Sequence, residues 1–170
     1  MGLDQDIELL EEVPTLQLLG REALRILAIS AQGVQVPGGD TLYREGEQAD
    51  GAYVVVDGSV ALQRERGTDA RETVIARRGA LLGETALLVD TVWTGTATAI
   101  ENTRLLRIPR TVFLRMLEGE EEAAQNLRQH LAERLGRTID EIDSVRPRFE
   151  VEGDEEEDDE FEKSADRPPR

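Results

Sequence analysis

Gly83, Glu84, Thr85 and Ala86, set between Leu82 and the Leu87-Leu88 pair, are the residues of this chain whose order best suits chemistry on an anion. Glycine lets a ligand approach the backbone closely, and a short helical turn opening after it directs its first amide N–H groups outward. Such a turn can cradle a phosphate. From Gly79 to Thr103, however, there is neither Lys nor Arg, so an anion held there would meet backbone dipoles alone. Trp93 and Thr94 follow a few residues further on, in the same cation-free stretch.

Short strands must position that turn. From Gln35 the apolar period falls to two, and Gly38, Gly39, Gly46, Gly51, Gly58, Gly67, Gly79 and Gly83 punctuate the chain. Between them Thr41–Tyr43, Tyr53–Val56, Ser59–Leu62 and Glu72–Ala76 read as strands of a compact β-roll. Asp57-Gly58 between two such runs is a hairpin signal, and Gly95–Ile100 with Thr103–Ile108 suggests a second strand pair. Pro109 stops the sheet, and Thr111 is the expected N-cap of a short helix over Val112–Leu117.

Helical spacing dominates both flanks. Ile7, Leu10, Val13, Leu16, Leu19, Leu24 and Leu27, broken by Pro14 and Gly20, predict two or three short helices within residues 1–34. Residues 110–146 hold the C-terminal helices, the longest over 119–143, where Ala124, Leu127, Leu131, Leu135, Thr138 and Ile142 share one face. That stripe either packs on its own β-roll or pairs with a second chain, in which case Leu127, Leu131, Leu135 and Ile142 are the dimer-interface candidates. The expected fold class is mainly β with flanking α: a jelly-roll-like β-roll over 35–109, short N-terminal helices and a long C-terminal helix.

Composition narrows the function. The chain carries a net charge of −16, and eleven acidic against four basic groups in residues 147–170 leave −9 on residues 1–146. A surface this acidic repels a polyanion, so no nucleic-acid partner is expected. The run Glu150–Glu160 buries too little apolar surface to offset its ordering, and 147–170 is expected to be a disordered acidic tail. With no Cys, no apolar run of ~18–20 residues and no signal-peptide pattern, the expectation is a cytoplasmic protein that does not engage a membrane. A lone His130, no Cys and no phosphate-loop fingerprint supply neither a catalytic set nor a metal site, so no enzyme is expected.

Gly39–Glu47, Asp50, Tyr53–Val55, Asp57–Val60 and Leu82–Leu87 together resemble the cyclic nucleotide-binding domain of catabolite activator proteins, protein kinase A regulatory subunits and gated channels. The resemblance runs from about Leu9 to Ile142. It makes residues 82–95 a phosphate-binding cassette for cyclic AMP or cyclic GMP. Glu84 would accept a hydrogen bond from the ribose 2′-hydroxyl, and the amides around Thr85 and Ala86 would donate to the cyclic phosphate. The Arg that pairs with that phosphate in the family's Pro-Arg-Ala segment falls on Trp93, flanked by Val92 and Thr94. The site is therefore expected to be degenerate, with Arg78 and Arg104 the nearest cations in sequence. The resemblance further implies a regulatory sensor without an appended helix-turn-helix domain, similar to short single-domain bacterial members and requiring no cofactor. Its alternative is a ligand-free scaffold that binds a protein partner through the C-terminal helix or the acidic tail.

Overall fold

The computed structural model describes residues 2–66 and 70–134; the expectations placed on Leu135, Ile142 and the acidic tail lie outside the described residues. Residues up to Arg128 form one compact unit. Residues 129–134, the described part of the second unit, are helical.

Three helices open the chain: α1 (Leu3–Glu12), α2 (Pro14–Gln17) and α3 (Arg21–Ser30). Their apolar stripes are buried through Ile7, Leu9, Leu10, Leu16, Leu24 and Leu27, the source of their stability at these short lengths. Pro14 starts α2 where its missing N–H costs nothing. An Arg21–Glu11 ion pair at 2.8 Å ties α3 to α1.

Among the described residues ten strands follow: β1 (Gln32–Val36), β2 (Thr41–Tyr43), β3 (Gln48–Ala49), β4 (Gly51–Asp57), β5 (Ser59–Arg66), β6 (Ala70–Arg77), β7 (Leu81–Leu82), β8 (Thr91–Val92), β9 (Thr96–Ala99) and β10 (Thr103–Pro109). They form two four-stranded antiparallel sheets, ordered β1-β10-β4-β7 and β2-β9-β5-β6, and a two-stranded β3-β8 ladder. The sheets enclose a core that includes Val36, Val55, Val60, Leu82, Ala97 and Leu105. This is the jelly-roll-like architecture expected of the sequence. The first strand begins at Gln32, three residues before the expected boundary, because Gln32–Val36 pairs along its length with Thr103–Arg107.

Neither expected hairpin forms. β4 lies in the first sheet and β5 in the second, so Asp57-Gly58 turns a corner between sheets. Gly58 sits at φ +96°, and a Cβ on it would lie 2.5 Å from Oγ1 of Thr103. That hydroxyl accepts from the Ser59 N–H at 3.2 Å and lies 2.8 Å from the Glu101 carbonyl, locking the corner. β9 and β10 are likewise split between the sheets. Wound sheets hide one face of each strand by sending consecutive strands to opposite layers.

The chain leaves the roll through α4 (Arg110–Gly119). Pro109 occupies its N-cap and Thr111 is the second residue of its first turn, so Thr111 is not the cap. The backbone leaves helical geometry at Glu120, between the two helices expected here, and the second of them, expected over 119–143, runs over 121–134 among the described residues.

Candidate functional site

The cassette begins where β7 ends. Gly83 adopts the left-handed conformation, φ +85° and ψ 37°, and Glu84–Leu87 close a single 3-10 turn behind it. The Ala86 N–H, an expected phosphate donor, donates to the Gly83 carbonyl at 3.0 Å. Ala86 and Leu87 are buried and anchor the turn, whereas Thr85 and Thr94 are exposed and Glu84 is half-buried. Leu88 and Val89 N–H groups both donate to the Thr85 carbonyl at 3.1 Å, continuing the turn. The backbone is thus shaped as a cradle, with one of its donors already engaged.

Trp93 fills the inner side of that cradle. It is 8% exposed, and its backbone is pinned on the β2–β3 connection, with Trp93 N–H to Glu47 O and Gly46 N–H to Trp93 O, both 2.9 Å. A Cβ on Gly83 would stand 2.5 Å from Cζ3 and 2.7 Å from Cη2 of the indole. The opposite wall is Tyr43, whose ring stacks on the indole at 3.7 Å between centroids and 8° between planes. Tyr53 completes the cluster at 6.0 Å from Trp93 and 6.2 Å from Tyr43. The chain's single Trp and both its Tyr residues therefore meet at one place. Burial, with a smaller contribution from Tyr53, pushes the Tyr43 phenol up to about 12. The two tyrosines were not legible as site residues, because β2 and β4 bring them from different sheets.

The nearest cations in sequence are engaged elsewhere. Arg78 donates to the Val56 carbonyl at 3.1 Å and pairs with Glu12 at 3.6 Å. Arg104 pairs with Asp57 at 3.9 Å and lines a cavity of about 360 Å³ between α1, β1, β4 and β10, away from the cassette. Arg107 is held by Asp50 at 2.8 Å, a hydrogen bond that raises its pKa. Arg110, at the start of α4, is the cation that does touch the segment after the turn. It donates to the Val89 carbonyl at 3.0 Å and the Ala49 carbonyl at 3.3 Å, and lies 3.5 Å from the Asp90 carboxylate, which also accepts from Gln48.

Of the dimer candidates, Leu127 is 5% exposed within the chain itself and is thus already covered. The neighbouring Asn126 donates to the Leu18 carbonyl at 3.0 Å, tying this helix to the N-terminal helices. Leu131 is half-buried.

A jelly-roll with helices at both ends and a glycine-led turn at the end of a short strand defines the class of this β-roll. Residues 33–120 match the cyclic nucleotide-binding domain family, and the chain belongs to it. It is 29% identical over 133 residues to the CRP-like cAMP-activated global transcriptional regulator of Mycobacterium tuberculosis, covering 77% of this chain and 59% of that protein. Over 128 residues it is 30% identical to a lysophospholipase of Neurospora crassa, covering 74% of this chain and 8% of that protein. Among solved structures, the N-terminal domain of a transcriptional regulator from Streptomyces coelicolor is 30% identical, with a TM-score of 0.71, covering 79% of this chain and 94% of that one. The chain therefore spans only part of the curated relatives it matches. Its domain is of the catabolite activator type. Among the described residues no helix is long and apolar enough to cross a membrane.

Proposed function

We propose that this chain is a non-enzymatic regulatory module whose affinity for cyclic AMP and cyclic GMP is weak or lost. The observation that carries this reading is the indole of Trp93, packed on Gly83 at the position where the family places its phosphate-pairing Arg. An indole donates one hydrogen bond and carries no charge. Leaving a buried phosphate without its cation costs on the order of 3–5 kcal/mol, which takes micromolar binding to about millimolar. The engagement of Arg78 with Glu12 and of Arg104 with Asp57 supports the same conclusion, since neither stands in for the missing charge.

Calorimetric titration of the protein with cyclic AMP and cyclic GMP tests the reading. No saturable heat is expected at tens of micromolar nucleotide. A dissociation constant in the low micromolar range for either one would overturn it.

A second reading, a ligand-free scaffold, is favoured by the same aromatic cluster, because a roll already filled by its own side chains keeps its shape without a ligand. Its docking elements would be the C-terminal helix, through Leu131, Leu135 and Ile142, or the acidic tail, with a second copy or another protein as partner. The proposed compartment for either role is the cytoplasm.

A further inference from the structure

Gly33 sits inside β1, where neither backbone nor packing calls for glycine. Its φ lies outside the left-handed region, and a Cβ on it would meet nothing within 4 Å. Glycine inside a strand weakens it, and is often found where a ligand approaches the backbone closely. Val34 and Val36 pack into the core between the sheets, so Gly33 and Gln35 point to the other face, towards the N-terminal helices. There they lie opposite Leu106 and Arg104 of β10. The cavity of about 360 Å³ covers this face, lined by the buried Val56 and Leu106 and by two groups of opposite charge, Arg104 and Asp6 of α1. Its volume is that of a small-molecule site. Asp6 is half-buried, and its carboxylate has no partner among the described residues. Arg104 meets Asp57 only at 3.9 Å, with both side chains exposed, and such pairs hold weakly.

We propose that this cavity binds a small apolar zwitterion, an aliphatic amino acid or a dipeptide of such residues. Arg104 pairs with the ligand carboxylate, and the amide of Gln35, its cross-strand neighbour, is a second donor. Asp6 accepts from the ligand ammonium. The aliphatic part lies over the bare backbone of Gly33, against Val56 and Leu106. The two charges select the class. An anion alone would bring its charge beside the Asp6 carboxylate, and a cation alone would bring its own beside Arg104. A hydrocarbon would strip water from both groups and give neither a partner. A molecule with both charges meets the opposite sign at each end. Amino acid and dipeptide share this chemistry and differ in the separation of their charges. The site lies away from the cassette, and the inference holds whether or not a cyclic nucleotide binds there.

Amide NMR titration of the full 170-residue chain with L-leucine and with L-leucyl-L-leucine tests it, with isocaproate and isopentylamine as single-charge controls. The amides of Gly33, Gln35 and Arg104 should shift saturably with leucine, the dipeptide or both, with a dissociation constant on the order of 1 mM or tighter, while those of Glu84–Leu87 stay in place. Each control should bind at least about tenfold more weakly, as should leucine or the dipeptide to Asp6→Asn and to Arg104→Gln. Gly33→Val should abolish the shifts and raise the thermal midpoint, because a β-branched side chain enters empty space in a strand. Gly33→Ala should weaken binding in the same direction, and circular dichroism confirms that each variant is folded. No saturable shift up to about 20 mM of either zwitterion, shifts confined to the cassette amides, a control that binds as tightly as the zwitterions, or wild-type binding by Gly33→Val would overturn the proposal.

Discussion

A Cβ placed on Gly83 would stand 2.5 Å from Cζ3 of Trp93, so Gly83 and the Trp93 indole fix each other. The glycine is required twice, once by its left-handed backbone at φ +85° and once by the ring lying against it. These two requirements separate experimentally. Gly83→Ala should cost ~3 kcal/mol or more in wild type, combining backbone strain with displacement of the ring. With Trp93→Ala in the background, backbone strain of ~1–2 kcal/mol remains and the contact is gone. Urea unfolding of the four proteins in this cycle should return a coupling of at least ~1 kcal/mol. Simple additivity would mean that the ring does not rest on Gly83.

Restoring a cation at position 93 gives the complementary outcome. Trp93→Arg places a charge in a site that holds Trp93 at 8% exposure, and without an anion it should lower stability by ~3 kcal/mol. A cyclic nucleotide at about a hundred times its dissociation constant should return ~2.7 kcal/mol to that variant, a rise of several degrees in midpoint, and little to wild type. Thermal scans with and without millimolar cyclic AMP check this. Equal shifts in the two proteins would show that the cassette does not need the charge.

The sequence placed most strands correctly and misjudged which strands pair. Thr41–Tyr43, the run through Tyr53–Val56 and the run through Glu72–Ala76 were legible because glycines bracket period-two segments. Asp57-Gly58 marks a reversal of the chain, which a hairpin and a corner between sheets both need, and composition alone does not distinguish them. The left-handed Gly58 and the Thr103 hydroxyl locking Ser59 decide for the corner. The place of Trp93 in the motif was legible by counting from Glu84, but its contact with Gly83 was not. Nor was Tyr43 stacked at 3.7 Å, since its strand meets Trp93 only after the sheets have wound.

The buried phenol gives stability a pH dependence. Tyr43 titrates near 10 when unfolded and at about 12 in the native protein, so the folded state keeps its proton over a range in which the unfolded state loses it. Stability from this group is fully present below pH 10 and falls by up to ~1.4 kcal/mol per pH unit as pH rises from 10 towards 12. Tyr43→Phe, which keeps the stacked ring and removes the proton, should flatten that decline. Urea midpoints at pH 8 and pH 11 for both proteins measure it, and an unchanged slope in the variant would assign the decline to other groups.

Arg110 and Asp90 form a pair whose members should have unequal effects when removed. The guanidinium is 22% exposed and satisfies the Ala49 and Val89 carbonyls at the junction of β3, the segment after the cassette turn and α4. Asp90, 77% exposed and 3.5 Å away, contributes an exposed contact screened by water. Arg110→Ala strands the backbone acceptors and should cost ~2–3 kcal/mol, whereas Asp90→Ala should cost less than ~1 kcal/mol. Arg110→Lys should recover only part of the loss, because Nη1 serves both carbonyls while Nη2 faces Asp90, and an ammonium has one nitrogen for all three. Hydrogen exchange should locate the effect: in Arg110→Ala the amides of Leu88 and Val89, which donate to Thr85, should exchange faster, while those pairing β5 with β6 stay protected. Equal costs for Arg110→Ala and Asp90→Ala would show instead that the ion pair, and not the backbone contacts, holds α4 to the cassette.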